Sequence, residues 1–177
     1  MRKEILVIAL SFVVTLTNAQ LGVIKMVGPN TSNYNLGYGA YLKGAYPISK
    51  GDDITLELGV YDFILNDGGA GDGTVILPLT AGYRYTIDRS GSGFYVEPQL
   101  GYNLLGVTSV NVNGYTQNLK FNGVTFAGGT GYIFLIKSVP IDLNLKYETI
   151  MAHGGSDNTL SLGLTLGIRF KKRNKED

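Results

Sequence analysis

The chain has 177 residues, no cysteine and a formal net charge of +1. It therefore contains no disulfide, and the balanced charge without a basic stripe excludes a nucleic-acid partner. Nine of its 29 charged residues lie in the first four residues and in the tail 171–177, which leaves 20 among residues 20–170. That density is about half of the ~25% typical of soluble domains, so the composition favours a protein whose surface faces lipid.

The first 19 residues have the layout of a secretory signal peptide. Arg2 and Lys3 precede the apolar run Ile5–Val14, and small residues end at Ala19. This order predicts cleavage before Gln20. An inner-membrane anchor is the alternative, but about ten apolar residues fall short of the ~20 that a helical span requires. No later run reaches that length, so we expect any further membrane insertion to use strands.

Turn-forming residues divide the mature chain into eight strand-length segments. Most have the roughly 9–11 residues plus ends that a tilted transmembrane strand needs. The first, which contains "LGVIKMVG" with Lys25, alternates poorly and is the least regular. The predicted strands cover roughly residues 20–28, 35–48, 53–64, 74–88, 93–105, 119–136, 139–151 and 159–170.

The connections between these segments alternate between short and long. Tight turns are expected at 50–53, 89–93 and 137–138, whereas longer polar loops follow the other strands, the longest at Gly106–Asn118. Short turns on one side and long loops on the other, with both chain ends on the short-turn side, are typical of an even-stranded outer-membrane barrel. The predicted fold is all-β: an eight-stranded antiparallel up-and-down transmembrane β-barrel over residues 20–170, followed by a basic polar tail at 171–177.

The last segment, "TLSLGLTLGIRF", alternates leucines with threonine, serine, glycine and Arg169. A soluble lipocalin-like barrel would bury the leucines, whereas a membrane barrel presents them to lipid. Aromatic residues on the same outward parity concentrate at two levels, as belts at the two membrane surfaces do. We therefore expect the leucines to face lipid and the other parity to face a filled polar lumen. The belts are Tyr46, Tyr85, Phe94, Tyr132, Phe134 and Phe170 near the short turns, and Tyr38, Tyr102 and Tyr147 toward the long loops.

Charged residues on the polar parity form the candidate site, a lumenal charge network. Arg84 is expected to neutralise both Glu57 and Glu97. An eight-stranded interior is only wide enough for side chains to fill, so we expect a structural, non-conducting plug. A proton or ion pathway is the alternative, because charges at membrane depth are costly and often functional. The predicted members are Lys43, Glu57, Arg84, Glu97, Asp142, Lys146, Glu148 and Arg169, with Tyr41, Tyr95, Gln99 and Asn144 filling the space between them.

The connecting loops hold the remaining candidates for chemistry. His153, Ser156 and Asp157 in "AHGGSD" are the residue types of a hydrolytic or acyl-transfer site. The histidine is the only one in the chain and two glycines follow it, so nothing nearby fixes the geometry that a catalytic base requires. The stretch "GGAGDG" occurs once, without the repeats of a glycine–aspartate calcium site. We expect no catalytic residue, no metal site and no cofactor, and therefore no enzyme.

Several stretches carry a family resemblance: "DITLELGVYDF", "TVILPLTAGYRY", "GFYVEPQLGYNLL", "GGTGYIF" with "IDLNLKYE", and "LSLGLTLGIRF". They resemble the small outer-membrane β-barrel domains of Gram-negative bacteria, the porin-like family that includes eight-stranded barrels of the OmpA and OmpX type. The resemblance covers nearly all of the mature chain. That family usually ends at an aromatic residue, whereas seven residues follow Phe170 here.

The resemblance implies a location in the cell outer membrane, contact with outer-membrane lipid and insertion by the barrel-assembly machinery. We expect a monomer with a structural or surface-interaction role, in which the outer loops bind an unknown extracellular ligand. Three alternatives stay open. A carrier of small hydrophobic molecules needs an apolar lumenal pocket or a side opening. A lipid-modifying barrel enzyme needs His153 in a convergent site, and a soluble exported lipocalin-like binder needs the apolar face inside.

Overall fold

The structure is a computed structural model and describes residues 18–28, 31, 34–66, 72–89, 91–112, 115–136, 139–152 and 155–166. Within these ranges, no helix has the length and apolar character needed to cross a bilayer. Most of the expected signal peptide and the whole expected tail lie outside the described residues. The strands are β1 (Asn18–Val27), β2 (Gly37–Ser49), β3 (Asp52–Ile64), β4 (Gly73–Thr86), β5 (Gly93–Val112), β6 (Tyr115–Ile136), β7 (Val139–Ala152) and β8 (Gly155–Leu166).

Each strand pairs antiparallel with its neighbours in the chain, and β1 also pairs with β8. The sheet therefore closes into an up-and-down barrel, which confirms the predicted fold. Closure leaves no sheet edge along the wall, so the backbone groups of neighbouring strands satisfy one another. We call the rim that holds Asn18 and Leu166 the terminal rim. The opposite rim, which holds the connections β1–β2, β3–β4, β5–β6 and β7–β8, is the distal rim.

β1 is a regular strand, although its sequence alternates poorly. It forms seven residue pairs with β2 and nine with β8. Ile24 and Met26 face the lumen and are buried, whereas Val23 faces outward. Apolar residues on both faces hide the two-residue period of this strand.

β5 and β6 continue through the segment expected to be the longest loop. Gly106–Val112 pairs with Tyr115–Phe121, so only Asn113 and Gly114 separate the two strands. The expected loop at Gly106–Asn118 is therefore wrong. Asn-Gly between alternating strands is a strong signal for a two-residue hairpin, and it outweighs the loop-like composition of the surrounding residues.

β8 also begins earlier than expected, at Gly155. Gly155 pairs with Ala152 of β7, so the seven-residue loop expected after β7 is reduced to a two-residue connection. At these two connections the distal rim is therefore less loop-rich than the sequence predicts, and among the described residues the β5–β6 hairpin is its longest projection.

The outer wall of the barrel is apolar. On β8, Leu160, Leu162, Leu164 and Leu166 are exposed on the outside, while the threonines and serine between them are buried in the lumen. A soluble lipocalin-like barrel requires the reverse arrangement, so the structure contradicts that alternative. The leucines instead form the lipid-facing parity that the alternation predicts.

Three aromatic side chains cluster on the outer wall near the terminal rim. Tyr132 contacts Phe94 edge to face with ring centroids 4.7 Å apart, and it contacts Phe134 at 4.5 Å. Their position matches one of the two predicted aromatic belts, which mark a boundary between lipid and water. Phe170, the expected last member of that belt, lies outside the described residues.

The lumen holds two layers of side chains with different character. A charged layer lies toward the terminal rim. An apolar layer lies toward the distal rim, with Tyr34 and Phe121 packed against it. The expectation of a polar lumen throughout is therefore only partly correct for the distal half, where β1, β3, β4 and β7 place apolar residues on the inward parity beside the buried polar residues Thr74, Asn103 and Thr125. The apolar layer consists of Ile24, Met26, Tyr41, Tyr61, Phe63, Ile76 and Ile150.

Two inward-facing glycines make room for buried hydrogen-bonding side chains. A Cβ at Gly163 would lie 1.9 Å from Nε2 of Gln20, which donates to Oδ1 of Asn144 at 3.0 Å. A Cβ at Gly131 would lie 2.7 Å from the hydroxyl oxygen of Tyr95. A larger residue at either position would collide with the polar contacts of the lumen.

Candidate functional site

Seven of the eight predicted network residues lie in the charged layer of the lumen. All are buried, because each lies on the inward parity of its strand. They come from five strands: β2, β3, β4, β5 and β7. The eighth, Arg169, lies outside the described residues. The seven are Lys43, Glu57, Arg84, Glu97, Asp142, Lys146 and Glu148.

These seven side chains form one chain of ion pairs in which acids and bases alternate. We call it the ion chain. It starts at Asp142, crosses the lumen and ends at Glu148, so that each cation lies between two carboxylates. The closest N···O distances are Asp142–Arg84 3.2 Å, Arg84–Glu97 2.9 Å, Glu97–Lys43 2.7 Å, Lys43–Glu57 3.3 Å, Glu57–Lys146 2.5 Å and Lys146–Glu148 3.3 Å.

Glu97 has the most partners in the ion chain. Oε2 accepts hydrogen bonds from Lys43 and from Nε of Arg84, both at 2.9 Å. Oε1 accepts from Thr55 at 2.8 Å and from Gln99 at 2.7 Å. A buried carboxylate is tolerated only when its charge is paired and its oxygens are hydrogen-bonded. Glu97 meets both conditions, which fixes its rotamer and those of its partners.

Arg84 does not pair with Glu57, contrary to the expectation from sequence. It binds Glu97 and Asp142, and Lys43 and Lys146 neutralise Glu57 instead. Strand register is the reason. On β4 the residue opposite Glu57 is Thr80, whereas Arg84 lies four residues closer to the terminal rim.

Tyrosine side chains complete the ion chain at both ends. The hydroxyl of Tyr95 donates to Oδ1 of Asp142 at 2.8 Å, and the guanidinium of Arg84 lies 4.2 Å from the centre of the Tyr95 ring. The hydroxyl of Tyr61 donates to Glu148 at 2.9 Å and accepts from Lys146 at 3.0 Å. Tyr61 is not among the members predicted from the sequence. Tyr61 lies two positions after Gly59 on β3 and therefore has the same inward parity as Glu57. This parity is the feature of the sequence that identifies it.

The ion chain neutralises charge and fills space within the charged layer. Every described cation in it has two acidic partners, which leaves no free cation to attract a diffusing anion. The apolar layer lies between the ion chain and the distal rim. It includes the fully buried Phe63, Ile76 and Ile150. Such an arrangement suits a rigid plug rather than a binding cavity.

Two of the three candidates in "AHGGSD" lie within the described residues. Ser156 and Asp157 are consecutive residues of β8, so their side chains point to opposite faces of the sheet. His153 lies outside the described residues. Asp72, from the "GGAGDG" stretch, accepts a hydrogen bond from the backbone N–H of Asn111 at 2.8 Å. Across the described ranges, no group of three acidic or histidine side chains is arranged to hold a metal ion.

Comparison with known proteins supports the fold. No protein-family model and no curated protein matches the sequence. Among solved structures, the chain is similar to Ail, the attachment invasion locus protein of Yersinia pestis, with a TM-score of 0.63 and 12% identity over 87% of this chain and 99% of Ail. Ail has also been solved in complex with the heparin analogue sucrose octasulfate.

Two further structures have the same architecture. Neisserial surface protein A (NspA) matches with a TM-score of 0.58 and 14% identity over 88% of this chain and 96% of NspA. The outer-membrane enzyme PagL matches with a TM-score of 0.50 and 13% identity over 86% of this chain and 99% of PagL. At these identities the similarity shows a shared fold. The predicted resemblance to small outer-membrane β-barrels is thereby confirmed at the level of the fold.

Proposed function

We propose that the chain is an integral β-barrel of the outer membrane, with a structural plug in its lumen and a surface-interaction role at its distal rim. The apolar wall, the aromatic cluster at the terminal rim and the fold shared with outer-membrane proteins support this location. Outer-membrane lipid and the barrel-assembly machinery are its expected partners, and we expect a monomer. The terminal rim, where β1 begins and β8 ends, faces the periplasm.

The two lumenal layers support a non-conducting barrel. The ion chain occupies the half near the terminal rim with side chains that are bound to one another. The apolar layer occupies the other half. Because hydrated ions cross an apolar constriction poorly, two filled layers in series favour a plug over an ion pathway.

The length of the β5–β6 hairpin is the observation that carries the surface-interaction role. We define the hairpin arm as Gly106–Val112 of β5 and Tyr115–Asn122 of β6. β7 pairs with β6 only from Gly123, so among the described residues Tyr115–Asn122 has no partner strand on that side. These eight residues extend about 26 Å beyond the end of the β6–β7 pairing, at roughly 3.3 Å per residue, whereas on the other side of the hairpin β5 pairs with β4 as far as Ser109. About four of these eight residues direct N–H and C=O groups to the open side.

The side chains of the hairpin arm indicate what kind of partner it suits. Tyr115 and Leu119 are 78% and 67% exposed. They share a parity with Phe121, which packs against the apolar layer. An open edge beside exposed apolar side chains suits an extended polypeptide, which adds a strand and places alternate side chains against the apolar ones. Lys120 is the only charged residue in the arm, so a sulfated ligand like the one bound to Ail would find little complementary charge here.

A shortened arm tests this role. Replacing Thr108–Leu119 by Asn-Gly would join Val107 to Lys120, which already face each other across the hairpin. It removes the two outermost β4–β5 pairs, Gly73–Ser109 and Thr74–Thr108, and keeps the rest of that ladder. A phage-displayed peptide library is selected against the folded protein in lipid nanodiscs. We expect enriched peptides with alternating apolar residues that do not bind the shortened variant. His153→Ala, at the neighbouring connection, is the matched control and should bind normally. Peptides that bind the shortened variant equally well would contradict the role of the arm.

A lipid-modifying enzyme is the main rival, since PagL is an enzyme with the same fold. The proposal of a non-enzymatic protein rests on the opposite orientations of Ser156 and Asp157 along β8. A hydrolytic site requires a nucleophile and its base within about 2.6–3.2 Å of each other, oriented by a third group. In such a site both Ser156 and Asp157 would have to reach the imidazole of His153, and side chains on opposite faces of β8 are poorly arranged to do so.

A further inference from the structure

On β1, the ladder with β2 ends earlier than the ladder with β8. β1 pairs with β2 only up to Ile24 and Gly37, whereas its pairing with β8 continues to Val27. The residues that precede β2 stay with β3 instead: the backbone N–H of Asn35 donates to the carbonyl of Ile64 at 2.9 Å. The two strands therefore diverge at the distal rim and leave a crevice in the barrel wall.

The crevice has a volume of about 530 Å³, and its described lining contains one cationic side chain and no acidic one. Lys25 supplies the charge, while Tyr34 and Asn35 add a hydroxyl and an amide as hydrogen-bond donors. Within the described part of the chain, no carboxylate lies within ion-pair distance of Lys25, and the residue opposite it on β8 is Leu160. The donors of the crevice are therefore suited to an anion.

Lys25 also occupies an unusual position on the wall. It lies on the outward parity of β1, two residues beyond Val23, and is exposed. On the β2 side, the outward residues at and below the crevice are apolar, with Leu36 51% and Tyr38 65% exposed; Asp62 of β3, opposite Tyr38, is the exposed carboxylate nearest to them. The site thus presents a cation and polar donors directly above a lipid-facing surface. A molecule that fits both parts has an anionic head and an apolar tail.

We propose that the crevice between the distal ends of β1 and β2 binds the phosphate group of an anionic membrane lipid, with Lys25 as its cation. This inference rests on the proposed membrane location and is independent of the hairpin arm. The ammonium of Lys25 binds the phosphate oxygens by charge-assisted hydrogen bonds, and Tyr34 and Asn35 donate to the same group. An acyl chain of the lipid lies along Leu36 and Tyr38. Basic pockets at the membrane surface recognise lipid headgroups in this way.

Native mass spectrometry of the folded protein, released from detergent with added phosphatidic acid, tests the site. Lys25→Gln should weaken binding of phosphatidic acid by about tenfold, because it removes a hydrogen-bonded charge, and Lys25→Arg should restore it. Lys120→Gln, which removes an exposed lysine of the hairpin arm, is the matched control and should bind like wild type. Equal binding by Lys25→Gln and wild type, or equal losses in Lys25→Gln and Lys120→Gln, would overturn the site.

A second variant keeps the test independent of any folding defect. Tyr34→Phe preserves the ring that packs edge to face on Phe63 at 6.4 Å and removes only the hydroxyl. It should lower the affinity for phosphatidic acid by about threefold, and unchanged affinity would count against the site.

Competition with inorganic phosphate distinguishes a lipid from a free anion. Phosphatidic acid should stay bound when inorganic phosphate is in large excess, since only the lipid contacts the apolar wall below the crevice. Displacement by inorganic phosphate at concentrations equal to that of the lipid would overturn the assignment to a lipid.

Discussion

Replacement of Arg84 by methionine gives the most direct measure of the ion chain. In the wild type, Nε of Arg84 donates to Glu97 at 2.9 Å and Nη2 donates to Asp142 at 3.2 Å. Methionine retains much of the volume and a sulfur contact with the Tyr95 ring, so the change removes charge more than packing. Glu97 would keep Lys43, Thr55 and Gln99 as partners. Asp142 is therefore the carboxylate that loses most of its electrostatic stabilisation.

The expected decrease in the free energy of unfolding depends on which partners Asp142 retains. Among the described side chains, its other hydrogen-bond partner is the neutral hydroxyl of Tyr95. A buried carboxylate that loses its cation typically costs about 3–5 kcal/mol, and we expect Arg84→Met to lower the free energy of unfolding by that amount. Adding Asp142→Asn removes the unpaired charge and keeps an acceptor for Tyr95. The double variant should recover about 2 kcal/mol, within the range of measured pair couplings.

Urea unfolding of the protein in lipid vesicles measures these differences. The chain has 12 tyrosines and no tryptophan, so far-ultraviolet circular dichroism and tyrosine fluorescence report the transition. Arg89→Met, at an exposed arginine, is the control and should change stability by less than about 0.5 kcal/mol. Glu57→Gln should not rescue Arg84→Met, because Glu57 has Lys43 and Lys146 as its partners. An Arg84→Met protein as stable as wild type, or equal rescue by Glu57→Gln and Asp142→Asn, would contradict the role of Arg84 in the ion chain.

Three further predictions concern the whole barrel. A closed ladder should resist SDS until it is heated, so migration on a gel should change on boiling, and identical migration of boiled and unboiled samples would contradict the membrane barrel. Reconstitution into planar bilayers should give no stable porin-sized conductance steps, because two filled layers occupy the lumen; regular large steps would contradict the plug. His153→Ala should leave the lipid composition of the outer membrane unchanged by mass spectrometry, and loss of a lipid modification in that strain would favour the enzyme.

The alternation of apolar and polar residues predicts which side chains form most of the outer wall, since each strand has one face toward lipid and one toward the lumen. It fails where both parities are apolar, as at Ile24 and Met26 in β1, where the inward residues belong to the apolar layer. It also fails for the hairpin arm, whose polar residues resemble a loop. There the Asn113-Gly114 pair was the available hairpin signal.

Parity in the sequence also identifies which charges share the lumen, but it does not determine which of them touch. Partners depend on the stagger between strands and on contacts across the lumen. Lys146 of β7, for example, contacts Glu57 of β3, and no local pattern links two strands so distant in the chain. The separation of Arg84 from Glu57 likewise follows from a register of the β3–β4 pair that the sequence does not display.

The ion chain begins and ends on the same strand. Asp142 and Glu148 both belong to β7, and the pairs between them pass through β4, β5, β2 and β3 before returning. A partly assembled sheet without β7 would gain most of its backbone hydrogen bonds while Arg84 and Glu57 each lack one counter-ion. Unpaired ions in a medium of low polarity cost several kcal/mol each. We therefore expect cooperative insertion, in which intermediates that lack the β7–β8 hairpin are penalised and the full electrostatic stabilisation arises only when the barrel is closed.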